Sequence, residues 1–285
     1  MSGGFRNVRE YGDAFIDGKV HTCTFRKVPS QATVAGWWVD LSMAAGNPKP
    51  NFYAAEPLVA AQLDDFAGIF HGDAKDPARK VLSDLALCTP TAGLVGQYKL
   101  LDYLLYYPFV DLDSTDEQTM DNTVTLPRYA TGEGVEAMLV CVAPTTGSGT
   151  FTYNYIDSDG NPQTSPTVSC SIASAGISSL VTSQPATADG GRIFLPQASG
   201  SKGIRSITSV TGIVPNGGLA ALVLVKPLAS AVIREVSVTS EISYLSMRFP
   251  GPPQIVDGAY LNLVMNCASS VAAGTLTGFA RFVWN

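Results

Sequence analysis

A hydrophobic period of two constrains the fold of this sequence more than any other feature. From about residue 100 onward, apolar and polar residues alternate in short segments that Gly- and Pro-rich turns separate. In the segment Ala259–Cys267, one parity is apolar from Leu261 onward, and Asn262 and Asn266 share the other. Such alternation is typical of an antiparallel sheet with one face in water. No helical pattern alternates with these segments, so a parallel α/β sheet is disfavoured.

The predicted strands of the final third are short and lie between turn residues. They are Arg192–Leu195, Ile204–Val210, Leu219–Lys226, Ile233–Thr239, Ile242–Phe249, Ala259–Cys267 and Thr275–Trp284. Earlier in the chain, alternating aromatic residues lead into Asp159-Gly160, a pair that supplies the positive φ of a hairpin turn. Short strands between such turns predict an all-β domain over residues 76–285, a β-sandwich of the jelly-roll kind.

Residues 1–75 follow a different pattern and predict an N-terminal arm and docking segment. Met1–Lys19 contains glycines and charges of both signs and is predicted to be an exposed, extended arm. Val20–Val28 alternates weakly, and the sequence WWVDL from Trp37 is a second, shorter strand candidate. Apolar residues recur at helical spacing over Glu56–Phe70, which is therefore the one predicted short helix.

The low charge of the chain narrows the classes of partner. Only 15% of its 285 residues are charged, and the formal net charge is −6. An acidic chain repels phosphate backbones at long range, so nucleic acid is not an expected partner. No apolar run reaches the roughly 18 residues of a membrane-spanning helix, so no membrane partner is expected either.

An odd number of cysteines favours free thiols over a disulfide framework. The five are scattered and form no Cys-x-x-Cys pair: Cys23, Cys88, Cys141, Cys170 and Cys267. The N-terminal residues lack the apolar stretch of a secretory signal. We therefore expect cytoplasmic assembly and five reduced thiols.

No group of residues has the signature of a catalytic or zinc site. The sequence has two histidines, His21 and His71. It contains no G-x-S-x-G elbow, no P-loop and no G-x-G-x-x-G turn. His21 and Cys23 would share a strand face, but two ligands do not complete a zinc site. We expect neither enzymatic activity nor a cofactor. A glycosidase carboxylate pair stays an open alternative, because such pairs meet only in space.

Two acidic clusters leave cation binding open. One has five carboxylates over Asp111–Asp121, and the other has Asp157 and Asp159 in the sequence DSDGN. Dense carboxylates can supply the oxygen ligands of Ca²⁺. An EF-hand loop needs Gly at its sixth position, whereas DSDGN has Gly at its fourth, so the second cluster fails this test. A solvated turn is the simpler interpretation of both clusters.

Four aromatic residues flank a segment rich in Gly and Pro and are the candidate partner-binding residues. They are Trp37, Trp38, Phe52 and Tyr53. Such side chains serve both as the core of a sandwich and as anchors of protein interfaces. For the two tryptophans, the core is the favoured interpretation and an interface is the alternative.

Three segments of the chain resemble a family of tailed-bacteriophage virion proteins. They are GWWVDLSMAAGNPKPNFYAAEPL, IFHG and DYLLYYPFVDLDSTDEQTMDNTVTLPRY, and the similarity is clearest over Gly36–Tyr129. Members of the family are structural proteins encoded close to the major capsid protein. The resemblance implies a capsid decoration or cement protein with a β-rich fold, and it carries no functional residue over.

The resemblance also implies a partner and a location. The partner would be the major capsid protein, and the location would be the capsid surface of a virion assembled in the host cytoplasm. Extended docking segments and closed symmetry suit a homo-oligomer, a trimer or a dimer. The alternative is a tail- or fibre-associated β-sandwich that binds a receptor or a carbohydrate, although the sequence shows no coiled-coil or repeat stem.

Overall fold

The computed structural model of the chain consists of strands and one short α-helix, and it describes residues 5, 7–29, 34–64, 67–170, 176–184, 191–244, 251–270 and 273–285. Helix α1 spans Val8–Ile16. The first strands are β1 (Val20–Val28), β2 (Trp38–Asp40), β3 (Ala45–Asn47), β4 (Ala61–Gln62), β5 (Lys80–Cys88), β6 (Gly96–Asp111), β7 (Glu117–Thr119), β8 (Glu136–Ala143) and β9 (Thr150–Asp157). The others are β10 (Pro162–Thr164), β11 (Val168–Ser169), β12 (Ile204–Val214), β13 (Leu219–Ile233), β14 (Ser240–Ser243), β15 (Gln254–Ile255), β16 (Tyr260–Cys267) and β17 (Leu276–Trp284). The predicted all-β class is confirmed.

Within the described residues, these strands form three antiparallel sheets. Sheet A has the order β14-β5-β17-β1-β3, with β15 beside β5. Sheet B has the order β2-β16-β6-β13-β8, with β4 beside β6. Sheet C has the order β10-β9-β12-β7, with β11 beside β9. Sheet B contains the two longest strands, β6 and β13.

Strands β6 and β13 each contribute to both of the hydrophobic cores that lie between sheets. Near the start of β6, Tyr98 and Leu100 pack in a core that sheets A and B share. Further along β6, Tyr107 packs in a core that sheets B and C share. Strand β13 divides in the same way, with Leu222 in the B–C core and Ile233 in the A–B core. The fold is therefore a pair of β-sandwiches with a common sheet, which agrees with the predicted sandwich class.

A buried ion pair lies between the two cores. Asp102 on β6 stands between Leu100 of the A–B core and Leu104 of the B–C core. Arg128 donates from Nε and Nη2 to the two carboxylate oxygens of Asp102, at 3.0 and 2.7 Å. Its Nη1 donates to the Leu63 carbonyl at 3.1 Å. Burial raises the pKa of Asp102 to about 6, although Arg128 acts to lower it.

The other face of sheet B is covered by irregular segments. Tyr103 and Val264 pack on this side with Leu63 and Ile193, which lie outside the strands. Strand β16 is therefore buried on both faces, and even Asn262 is fully buried. The predicted water-exposed face is wrong for this strand, because the segments that cover it are distant in sequence.

Helix α1 begins after Asn7, inside the segment predicted to be an arm. The Asn7 side chain accepts a hydrogen bond from the Glu10 amide at 2.9 Å and so caps the helix. Tyr11 and Ala14 are buried against sheet A. In its described part, Met1–Lys19 is therefore a docked helix and not an extended, exposed arm. No helix in the described residues has the length and apolar character that a membrane crossing requires.

The segment Glu56–Phe70 does not form the predicted helix. It contains turns and strand β4, which pairs with β6. The Leu63 amide donates to the Leu104 carbonyl at 2.9 Å, and Leu58 has a φ of 62°. Pairing with β6 therefore overrides the helical spacing of the apolar residues. Residues 65 and 66, which belong to the predicted helix, lie outside the described residues.

The predicted boundary at residue 75 does not separate two hydrogen-bonded units. Strand β1 pairs with β17, strand β2 with β16, and strand β4 with β6. Each of these pairs joins residues 1–75 to residues 76–285. The N-terminal segment is therefore built into sheets A and B.

Most of the strands predicted in the final third are confirmed. Strands β12, β13, β16 and β17 match predicted segments, and β9 and β10 form the hairpin around Asp159-Gly160. Arg192–Leu195 forms no strand, and the chain turns after β13 ends at Ile233, so a strand over Ile233–Thr239 is wrong. Strand β14 covers only the beginning of the predicted Ile242–Phe249, whose residues 245–249 lie outside the described residues.

Candidate partner-binding segment

The two tryptophans at the start of the candidate segment lie in the interior of the protein. Trp37 packs in the B–C core, and Trp38 packs on the other face of sheet B. Their exposed fractions are 3% and 6%. The Trp38 amide also donates to the Ser183 hydroxyl at 2.9 Å. In the folded chain neither indole ring is accessible to a partner. Both tryptophans are core residues, as the favoured interpretation of the sequence had it.

One buried carboxylate anchors the chain that follows. Asp40 is fully buried. Its Oδ1 accepts hydrogen bonds from the Tyr103 hydroxyl at 2.6 Å and the Ser42 amide at 2.9 Å. Its Oδ2 accepts from the Ser42 and Tyr53 hydroxyls, both at 2.6 Å. Hydrogen bonds of a hydroxyl to a carboxylate are short and strong, so this group ties Tyr53 to strands β2 and β6.

The two phenols of this network are held as hydrogen-bond donors. Burial raises the pKa of Tyr53 and of Tyr103 well above the usual tyrosine value, and the Asp40 charge raises both further. Neither phenol loses its proton in the neutral pH range. The network therefore fixes the Tyr53 side chain in place through hydrogen bonds that both phenols donate.

Lys27 on β1 holds the chain on either side of β3. Its Nζ donates to the Ala44 carbonyl at 3.2 Å and to the Pro48 carbonyl at 2.9 Å. The side chain is fully buried. Burial lowers the pKa of Lys27 to about 8, while the Asp40 charge acts to raise it. The ammonium group therefore links β1 to the candidate segment at neutral pH.

The lowered pKa of Lys27 predicts a pH-dependent stability. Between about pH 8 and 10.5, the unfolded chain holds this proton more tightly than the folded chain does. We expect the free energy of unfolding of the wild type, relative to Lys27→Met, to rise with pH in this window by up to about 1.4 kcal/mol per pH unit. Urea denaturation of both proteins at several pH values measures the difference. A difference that is flat or falls with pH would contradict the assignment.

Phe52 is the candidate aromatic residue that faces solvent. Its exposed fraction is 59%, whereas Tyr53 is fully buried. The Asn51 amide donates to the Ser42 carbonyl at 2.9 Å, and Tyr53 has a φ of 51°. A left-handed non-glycine residue costs about 1–3 kcal/mol, which the hydrogen bond from Tyr53 to Asp40 helps to offset. Both neighbours of Phe52 are therefore fixed, and its ring is held outward.

The sequence reasoning found the aromatic residues of this segment but missed the groups that hold them. Asp40, Lys27 and Tyr103 were not candidates. One signal for Asp40 is present in the sequence, since a lone acidic residue stands inside the apolar run WWVDL. Lys27 and Tyr103 come from other strands, and only the fold brings them to Asp40.

A second buried cluster of charged residues surrounds His71. Lys80 Nζ donates to His71 Nδ1 at 2.9 Å and contacts Asp257 Oδ1 at 3.2 Å. His71 Nε2 lies 3.1 Å from the Ala259 carbonyl, so this nitrogen carries the proton. Burial acts to raise the pKa of Asp257, but hydrogen bonds from the backbone amides of residues 75 and 76 and from the Lys80 ammonium group lower it overall. Both ring nitrogens of His71 take part in hydrogen bonds, so the cluster stabilises the position of the loop before β5.

The remaining candidate ligands do not converge. His21 and Cys23 both lie on the inner side of β1, where the His21 ring contacts the Phe70 ring at 5.2 Å. The acidic residues of Asp111–Asp121 lie around the turn between β6 and β7, where the Asp113 amide donates to Asp111 at 2.9 Å. Among the described residues, no three His, Cys, Asp or Glu side chains are grouped as a metal site requires.

The described cysteines are not joined in disulfide bonds. Cys23, Cys88, Cys141 and Cys170 form no disulfide. Burial raises the pKa of the Cys23 and Cys141 thiols, in the latter case to about 11. These two thiols are therefore protonated and unreactive at neutral pH. The predicted thiol of Cys267 lies outside the described side chains.

Comparison with known proteins finds distant structural likeness only. No protein family model and no curated protein matches the chain. A mutant VP2 protein of infectious bursal disease virus, in derived T=1 particles, is 11% identical over 93% of this chain and 78% of that chain, with a TM-score of 0.17. A VP2 subviral particle of the same virus is 10% identical over 93% and 81%, with a TM-score of 0.18. These similar structures are proteins of viral particles, but TM-scores this low carry no argument about fold or function.

Proposed function

We propose that the chain is a structural protein of a virion that binds the major capsid protein on the capsid surface and stabilises the shell as a decoration or cement protein. The single observation that carries the proposal is the fixed outward display of Phe52 between Asn51 and Tyr53. An exposed aromatic ring that is already ordered loses little conformational entropy on binding and is a typical interface anchor. The phage resemblance over Gly36–Tyr129, which includes this segment, supplies the identity of the partner.

The surroundings of Phe52 suit a protein partner. The residues from Ala45 to Pro57 that face solvent include only two charged side chains, Lys49 and Glu56. Interface centres are depleted in charge and enriched in aromatic residues. In this proposal the chain has no enzymatic activity and no cofactor, and it assembles in the host cytoplasm with its thiols reduced.

Phe52→Ala is expected to separate binding from folding. The substitution should change the free energy of unfolding by less than about 0.5 kcal/mol, because the ring is exposed. It should weaken binding to particles by about 30-fold, the effect of losing an anchor worth about 2 kcal/mol. Co-sedimentation of purified protein with undecorated particles measures the affinity. Val238→Ala, at an exposed position (51%) on another part of the surface, is the matched control and should bind as the wild type does.

The copy number in purified particles distinguishes the proposal from its alternative. A shell-binding protein should be present at a copy number comparable to that of the major capsid protein. A tail- or fibre-associated receptor binder should be present at a much lower copy number. A low copy number would count against the capsid role and for the tail alternative. Wild-type binding by Phe52→Ala would refute the anchoring role of Phe52, on which the proposal depends.

A further inference from the structure

A buried histidine holds the loop of residues 71–79, which we call the His71 loop. The His71 side chain is 1% exposed, and its ring lies beside the Phe282 ring of β17, with centroids 6.0 Å apart. Its Nδ1 accepts a hydrogen bond from Lys80 on β5, and its Nε2 donates to the Ala259 carbonyl. One ring therefore connects the loop to β5, to β17 and to the residue that precedes β16.

The Lys80 ammonium group is bound to the same loop at further points. Its Nζ donates to the carbonyls of residues 72 and 73, at 3.1 and 2.9 Å, and to Asp257 Oδ1 at 3.2 Å. Asp257 Oδ2 accepts from the amides of residues 75 and 76, at 2.9 and 3.1 Å. The closed position of the loop therefore depends on the contacts among His71, Lys80 and Asp257.

The bond from Lys80 to His71 requires a neutral imidazole ring. An ammonium group only donates hydrogen bonds, so Nδ1 must present its lone pair and cannot carry a proton. Lys80 and Asp257 balance each other in charge, whereas a proton on Nδ1 would place a second cation 2.9 Å from the first. A buried charge without compensation is strongly destabilising. The closed loop therefore excludes the proton.

The groups that face His71 come from each element packed against it. Strand β5 contributes Lys80, and the segment before β16 contributes Asp257. Strand β17 contributes the apolar Phe282 ring, and His21 of β1 lies against Gly72. The loop also has charged side chains that are exposed to solvent: Asp73, Asp76 and Arg79.

We propose that His71 is an acid-sensitive latch, whose protonation separates it from Lys80 and opens the His71 loop. Once the loop is open, His71 is in water and takes up a proton below about pH 6.5, as an ordinary histidine does. The open form then binds more protons than the closed form, so the free energy of opening falls as the pH falls. Opening also removes Lys75 from the Trp284 ring, which lies 4.4 Å from its Nζ.

Hydrogen exchange of the amides of residues 75 and 76 measures the opening. Their protection, corrected for the intrinsic exchange rate at each pH, should fall about tenfold per pH unit below about pH 6.5, because opening is coupled to the uptake of one proton. Burial acts to raise the pKa of Asp257, but its hydrogen bonds lower it overall. This carboxylate therefore stays charged between pH 5 and 7 and adds no proton of its own.

Two variants make the exchange experiment specific, because His21 and His71 are the only histidines in the sequence. His71→Gln introduces an amide whose oxygen can accept from Lys80 and whose nitrogen can donate to the Ala259 carbonyl, but which does not titrate. Protection in this variant should not depend on pH between 5 and 7. His21→Gln is the matched control and should keep the pH dependence of the wild type.

Nitrogen NMR of the histidine rings tests the latch in the unmodified chain. His71 should keep the neutral form with the proton on Nε2 at pH 6, where an exposed histidine is mostly charged. A charged His71 ring at pH 6, wild-type protection that does not change with pH, or a His71→Gln variant with the pH dependence of the wild type would each overturn the proposal. None of these measurements involves a capsid, so their outcome is independent of the proposed function.

Discussion

Replacement of Asp40 by alanine is expected to lower the free energy of unfolding by about 4 kcal/mol. Three hydroxyl groups and one amide lose their buried acceptor in this variant. Hydrogen bonds to charged groups contribute about 1.5–3 kcal/mol each, and their losses do not add fully within one network. Lys27 also loses the carboxylate that raises its pKa. The substitution should therefore be among the most destabilising in sheet B.

Urea denaturation measures this loss, with two graded controls. Tyr103→Phe removes a single donor and should cost about 1.5 kcal/mol. Ser42→Ala should cost a similar amount, while its amide keeps the bond to Asp40. If Asp40→Ala cost no more than Tyr103→Phe, the hydroxyl groups would have other partners and the anchoring role of Asp40 would be refuted. Particle binding should fall with Asp40→Ala as well, because Tyr53 no longer fixes the chain beside Phe52.

Arg128→Met should lower the free energy of unfolding by a similar amount, about 3–5 kcal/mol at pH 7. The variant leaves the Asp102 carboxylate buried between two cores without its cation, and an uncompensated buried charge is strongly destabilising. Protonation of Asp102 removes the buried charge and with it this loss of stability. Because the pKa of Asp102 is already raised in the folded protein and rises further without Arg128, the deficit should shrink as the pH is lowered from 7 towards 5.

Two comparisons make the Arg128 experiment specific. Asp13→Ala breaks the exposed pair between Arg9 and Asp13 on α1, and it should cost less than about 0.5 kcal/mol. The double variant Asp102→Leu, Arg128→Met should regain much of the stability, because no charge is left unpaired. A deficit in Arg128→Met that stays constant between pH 5 and 7 would show that the loss comes from packing and not from the carboxylate.

The sequence predicted the strands better than it predicted their surroundings. Period two depends on local geometry, so β12, β13, β16 and β17 could be located from the chain alone. The burial of Asn262 could not, because it depends on segments that fold over sheet B from far away in the sequence. The spacing over Glu56–Phe70 was misleading for the same reason, since pairing with β6 competes with the local helical preference.

The candidate site shows the same limit at the level of single residues. The aromatic residues of Trp37–Tyr53 could be identified from the sequence as candidate core or interface residues. Which of them faces solvent depends on the φ of Tyr53 and on the carboxylate of Asp40. Neither is visible in a pattern of apolar and polar residues, because both arise where separate strands meet.

The shared strands β6 and β13 have a consequence for how this protein can evolve. Each sandwich uses one part of β6 and one part of β13. A gene fragment that encoded only one sandwich would therefore end inside both strands and leave the other sandwich incomplete. Neither half can be exchanged, duplicated or lost by recombination while the other survives. The two sandwiches are therefore expected to be inherited together, and insertions within the chain are expected in the loops between its strands.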